Sequence, residues 1–352
     1  GSRPRGEPWD EVALPYTFNL LSWEATSLFS HELGRLKPWD SGNISSAQEV
    51  ERVRRYFAEK QERPIYRDEV AGILRKQTGR VLEEEGLALS LDPWRRIRFL
   101  FPPLAFELGP LPQILVISPR DKIALKDKVL LRPDLRLEEI EAIERRTEEG
   151  GVSALIEELG GISTYPTMVS PSSLEYTVSV IAHEWLHTYL FFQPLGQHYG
   201  DSGEMMTLNE TTADLFGQEV AALVLERSYG EKRQPREDKP PQEETGFSFN
   251  REMRTIRLTV EGYLERGDVV GAEAFMEERR KYLASQGYPL RRLNQAYFAF
   301  HGTYADSPGS ISPVGGQLKT LREREGSLSN FVRTVARFSS YKDLLERLGE
   351  DH

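Results

Sequence analysis

The chain contains no cysteine. That excludes disulfides and every metal site built on thiolates, and it leaves the redox setting open. Basic residues are outnumbered: 45 lysines and arginines face 55 aspartates and glutamates, for a net charge of −10. No broad basic surface points to nucleic acid or to an anionic membrane, so neither is an expected partner. Long apolar runs are missing too. The best candidate, around residues 178 to 192, is broken by His183, Glu184 and His187, so none has the length of a membrane span. No leader is visible. Gly1-Ser2 reads as a cloning remnant, which leaves open a leader or membrane anchor ahead of it. The localisation is unknown from sequence, with an extracytoplasmic or membrane-anchored setting favoured over a cytoplasmic one. What is present is a soluble globular composition, 39% hydrophobic and 28% charged over 352 residues, enough for one large domain or two modest ones.

Leu174 to Phe192 reads as one buried helix, and near its end stands His183-Glu184-Trp185-Leu186-His187. Histidines four apart share a helix face about one turn from each other, so both imidazoles can reach one cation. Glu184 projects beside the same place. H-E-x-x-H on a helix supplies two ligands and a carboxylate that can act on water activated by the ion. Such a site usually needs a third protein ligand. A second apolar helix begins near Thr207-Leu-Asn-Glu-Thr-Thr-Ala-Asp214 and runs to about Arg227. On it Glu210 and Asp214 are four apart and share a face. Alternative readings exist for each residue alone. Thr207 and Glu210 fit a capping box, Asp214 an exposed helix position, and the histidines a core. All together, these ionisable groups on two apolar helices are costly to bury without an ion.

H-E-x-x-H followed by N-E-x-x-A-D resembles the thermolysin-like gluzincin metallopeptidases, through His183, Glu184, His187, Asn209, Glu210 and Asp214. The resemblance covers these two helices and weakens outside them. It implies that His183, His187 and Glu210 hold one zinc ion per chain and that Glu184 is the general base. It implies that Asp214 accepts a hydrogen bond from a ligating histidine, His183 first. It also implies a peptide or protein substrate, bound along an edge strand near the metal. Gly160 to Val169 is the candidate, read as one strand whose Pro166 marks an edge; Gly161, Ile162, Ser163, Thr164 and Tyr165 would contact the substrate. Ser170 is the expected cap of the H-E-x-x-H helix, with Pro171 at its first position. His198, in the loop between the two helices, is the rival third ligand. Gly200-Asp-Ser-Gly203 echoes a serine-nucleophile loop but lacks supporting triad motifs.

In thermolysin-like enzymes a tyrosine or histidine outside the zinc helices stabilises the oxyanion. Here His301 and Tyr304, three apart in Tyr297–Tyr304, are the densest candidates, with Tyr199 as a further option. No G-x-M-E-N-like segment is present, which favours an endopeptidase over an aminopeptidase. Two rivals stay open: a zinc-containing binding or scaffold protein without turnover, and a zinc hydrolase of non-peptide amides or esters.

The expected fold is α+β and zincin-like, with a small, mostly antiparallel sheet, the active-site helix, and a helical C-terminal lobe. Residues 1–92 read as an N-terminal helical region, 93–228 as the catalytic lobe, 229–248 as a polar linker and 249–352 as the helical lobe. Within the first region, Phe18–Leu36 has helical periodicity, and Ser46 and Asp68 are candidate N-caps of two charged helices. Ile97–Phe101, Gln113–Ile117 and Ile123–Leu131 read as strands. Leu135–Glu149 reads as a solvated acidic helix.

Overall fold

A computed structural model describes residues 6–20, 46–59, 63–90, 98–231, 247–305 and 307–349. Nearly all of the expected Phe18–Leu36 helix, the start of the Ile97 strand and most of the 229–248 linker lie outside the described residues. The protein is α+β. The strands among the described residues are β1 (Leu89–Ser90), β2 (Arg98–Phe99), β3 (Phe106–Leu108), β4 (Gln113–Pro119), β5 (Asp127–Leu131), β6 (Val152–Glu158), β7 (Gly161–Ile162) and β8 (Thr167–Val169). No helix among the described residues is long and apolar enough to cross a membrane.

The chain does not divide into consecutive blocks. It forms two units, each built from three separated segments. The first unit takes Gly1–Asn19, Pro112–Leu159 and Asp238–Pro313. Its sheet has the order β5-β4-β6, antiparallel throughout. Central β4 is covered on both faces, which accounts for its continuous apolar run. Ile114 and Val116 face Met253, Ile256, Val260 and Phe298 on one side. Leu115 and Ile117 face Trp9, Val12 and Ile143 on the other. Strand β6 carries too weak an alternation to be read from sequence. Its outer edge is closed by side chains from distant positions. Asn294 Nδ2 donates to Ala154 O (2.9 Å), Arg291 Nη2 donates to Ile156 O (2.8 Å), and Ile156 N donates to Glu144 Oε1 (2.7 Å). The expected solvated helix is Leu137–Glu148, and it is solvated only in part: Glu144 is buried, paired with Arg291 and Arg292. Ile123–Leu125 is not strand, and β5 begins at Asp127.

The second unit takes Leu20–Leu111, Gly160–Glu237 and Val314–His352. Two long helices dominate it. The first, Leu174–Leu190, carries H-E-x-x-H; the second, Gly203–Tyr229, carries Glu210 and is called the glutamate helix below. Both are buried over most of their surface, as their all-round apolarity requires. Ser173, not Ser170, caps the first helix: its Oγ accepts from Tyr176 N at 3.2 Å, while Ser170 N is spent on Gly160 O. Ser46 caps the helix Ala47–Ala58 as expected, but Asp68 lies inside the helix Arg63–Glu84. The expected single strand Gly160–Val169 is two short strands. β7 and β8 pair antiparallel, Gly161 with Val169 and Ile162 with Met168, and residues 163–166 reverse the chain. Pro166 sits in that reversal. β8 lies between β7 and β3, parallel to β3, so β7 is one of the two outer strands of the set. The C-terminal residues 328–349 form two helices, Leu328–Val335 and Tyr341–Leu348.

Gly217 sets how closely the two long helices pack. A Cβ there would lie 2.5 Å from Ser179 O and 3.2 Å from His183 Cβ. Gly203, at the start of the same helix, has nothing within 4 Å. Gly217→Ala therefore overpacks the seam and is expected to cost about 1–3 kcal/mol, while Gly203→Ala is expected to be neutral. Urea unfolding of the two variants checks this, and equal stabilities would contradict it.

Candidate metal centre

His183 Nε2 and His187 Nε2 lie 2.9 Å apart. Glu210 Oε2 completes a triangle, 3.6 Å from His183 Nε2 and 3.4 Å from His187 Nε2. Three donors bound at about 2.0–2.1 Å with tetrahedral angles sit about 3.3–3.4 Å apart. The observed sides bracket that spacing, so the three atoms fit around one ion. Among the described residues this is the group of three or more potential ligands that converges. His183 and Glu210 are buried, each 8% exposed.

Further contacts orient two of the three groups, His183 and Glu210. His183 Nδ1 is 2.9 Å from Asp214 Oδ1, one turn beyond Glu210 on the glutamate helix. That bond leaves the Nε2 lone pair for an ion, the usual partnership of a ligating imidazole with a carboxylate. Tyr199 donates its hydroxyl to Glu210 Oε1 at 2.6 Å, so Oε2 is the oxygen turned to the histidines. Asn209 Nδ2 donates to Leu195 O at 3.2 Å and ties the loop that carries Tyr199 to the glutamate helix. Glu184 is also buried, and its Oε2 accepts from Ser163 Oγ at 2.7 Å.

Burial opposes a charge on His183, but the bonds to Asp214 and Glu210 outweigh it and raise its pKa well above the ordinary value. Burial likewise opposes charge on Glu210, and His187 and His183 outweigh it, holding the carboxyl well below the usual range. Burial, then the charge of Glu210, pushes the Tyr199 phenol upward. No lysine or arginine occurs between Arg146 and Arg227. Among the described residues Glu184, Glu210 and Asp214 have imidazoles and hydroxyls as partners, and neither guanidinium nor ammonium. Three carboxylates gathered around two imidazoles form a donor set short of positive charge, which suits a divalent cation.

The structure thus brings together His183, His187, Glu210 and Asp214, with Glu184 beside them. Gly161 and Ile162 lie on β7, and Ser163, Thr164 and Tyr165 in the reversal that follows. Thr164 is buried and donates to Pro166 O. His198 is not in the cluster; its Nδ1 lies 2.6 Å from Asp201 at the surface. His301 and Tyr304 belong to the first unit. The His301 ring packs 4.2 Å from that of Tyr297, and its Nε2 lies 3.7 Å from Glu157. Two contacts have no counterpart in the sequence reading: the Tyr199 bond to Glu210 and the Ser163 bond to Glu184. The cation-free stretch around the motifs is the signal that was legible and points the same way. No protein-family model, curated protein or solved structure matches the chain.

The raised His183 pKa fixes the sign of a pH effect in metal-free protein. Stabilisation from the charged ring is complete below the unfolded-state value of about 6.5 and is lost as pH rises through the higher folded value. Metal-free protein is expected to melt at progressively lower temperature as pH rises above about 6.5, with a shallower fall in Asp214→Asn. Thermal melts in chelator read this; a pH-independent Tm in the parent would contradict it.

Proposed function

We propose that the protein is a zinc-dependent metallopeptidase of zincin-like architecture, related in its site to the thermolysin-like gluzincins. The observation that carries this reading is the convergence of His183 Nε2, His187 Nε2 and Glu210 Oε2 beside a buried Glu184. A site of purely structural zinc is usually closed by four protein ligands. Three ligands with a neighbouring carboxylate suit catalysis instead.

Zinc, when bound, supplies Lewis acidity that acidifies water and polarises a scissile carbonyl. His183, His187 and Glu210 would hold the ion, and Asp214 would fix the His183 ring and its tautomer. Glu184 takes a proton from the attacking water and passes it to the leaving amine, as general base and then general acid. Tyr199 reaches the cluster from the inter-helix loop and is the hydroxyl donor found against the ligand set. Its one O–H is engaged with Glu210 Oε1, so Tyr199 holds that ligand in place, while His301 and Tyr304 stay the candidates for the oxyanion role that the family resemblance implies. The substrate is a peptide or protein, cut internally.

Glu184→Gln keeps the shape of the site and removes the base. The variant is expected to bind zinc as the parent does and to cut a quenched-peptide library at least about 100-fold more slowly. Equal cutting rates would refute the mechanism. Zinc binding with no cutting by the parent would favour a non-catalytic zinc protein, or a hydrolase of other amides or esters.

A further inference from the structure

Glu184 is held from the side facing away from its own helix. Tyr176, Val180 and Glu184 stand at four-residue spacing and form one ridge of the H-E-x-x-H helix. The Gly160-Gly161 backbone runs directly over that ridge. A Cβ on Gly160 would lie 2.3 Å from the Tyr176 hydroxyl oxygen. A Cβ on Gly161 would lie 2.6 Å from each of Glu184 Cγ, Glu184 Oε1 and Val180 Cγ1. At Gly160 the tip of the exposed Tyr176 ring can give way, but at Gly161 the Val180 and Glu184 stems leave no room for a side chain, so bare β7 backbone flanks the Glu184 side chain. Two residues on, the Ser163 hydroxyl donates to Glu184 Oε2 at 2.7 Å and lies 3.1 Å from Glu184 O. The same hydroxyl so engages the far end of the side chain and the helix backbone it springs from.

We infer that Ser163 is a positioning residue for Glu184, locking the base in one rotamer with Oε2 occupied and Oε1 left to meet water. The inference rests on the peptidase reading for its catalytic consequence. Its geometric content stands apart from that reading. A buried glutamate has several rotamers, and a base swung away from the attacking water loses its contribution to the rate. Backbone on one flank and a hydroxyl at the tip remove those alternatives. Ser163 is itself exposed, so shortening it leaves the packing of the unit intact. It makes no contact with the ligand atoms among its described bonds, so metal binding does not depend on it.

The test uses full-length zinc-loaded protein, with Ser163→Ala and Ser163→Thr. Ser163→Ala is expected to lower kcat about tenfold on a quenched peptide, within the range a general base supplies, with KM, zinc content and Tm unchanged. Ser163→Thr, which restores a hydroxyl, is expected to recover most of the loss. Crystals of zinc-loaded Ser163→Ala are expected to show the Glu184 carboxylate rotated or split between rotamers, against one rotamer in the parent. A kcat within twofold of the parent, a loss confined to KM or Tm, or an unmoved Glu184 would overturn the assignment. A parent that cuts no peptide sinks the peptidase reading alone. The two crystal structures then decide the positioning role: a displaced Glu184 in Ser163→Ala supports it and an unmoved one refutes it.

Discussion

Carboxylates sunk into the seam between two apolar helices are tolerable only if their charge is met inside that seam. This constraint shapes the second unit. Glu210 faces two imidazoles, His183 is bracketed by Glu210 and Asp214, and no lysine or arginine is available anywhere between Arg146 and Arg227. In metal-free protein a proton on His183 supplies part of the missing charge, which is why its pKa is raised despite burial. A divalent ion supplies it more fully. The cluster is thus short of positive charge as a set of side chains, which suits it to a divalent cation.

Geometry and electrostatics reinforce each other. Gly217 lets the glutamate helix approach His183 closely. Tyr199 and Asp214 then use up the atoms of Glu210 and His183 that are not aimed at the common point. Glu184, next to His183, is framed separately by Gly161 and Ser163. The His183–His187–Glu210 cluster and the Glu184 side chain are therefore supported by different parts of the unit, the former by the glutamate helix and its preceding loop, the latter by β7 and the reversal after it.

The helical half of the site was legible because it depends on spacing alone. A period of 3.6 places His183 with His187 and Glu210 with Asp214, and the apolar residues around them mark both helices as buried. What was not legible depends on partners far along the chain. β6 has too weak an alternation to stand out, and the bonds that close its edge come from Glu144, Arg291 and Asn294. Gly160–Val169 looked like one strand because nothing local shows that β7 folds back on β8. The consecutive lobes expected from sequence gave way to two interleaved units because the sheet strands β4–β6 share a core with helices from residues 249–301. Ser163 lay within the expected substrate strand, but its bond to Glu184 depends on that fold-back.

The central claim is that one zinc ion is shared by the two long helices. Anomalous diffraction at the zinc absorption edge, from crystals of zinc-loaded protein, tests it most directly. The account predicts a single strong peak about 2.0–2.1 Å from His183 Nε2, His187 Nε2 and Glu210 Oε2. No peak at that point, with Glu210 turned away from the imidazoles, would contradict it.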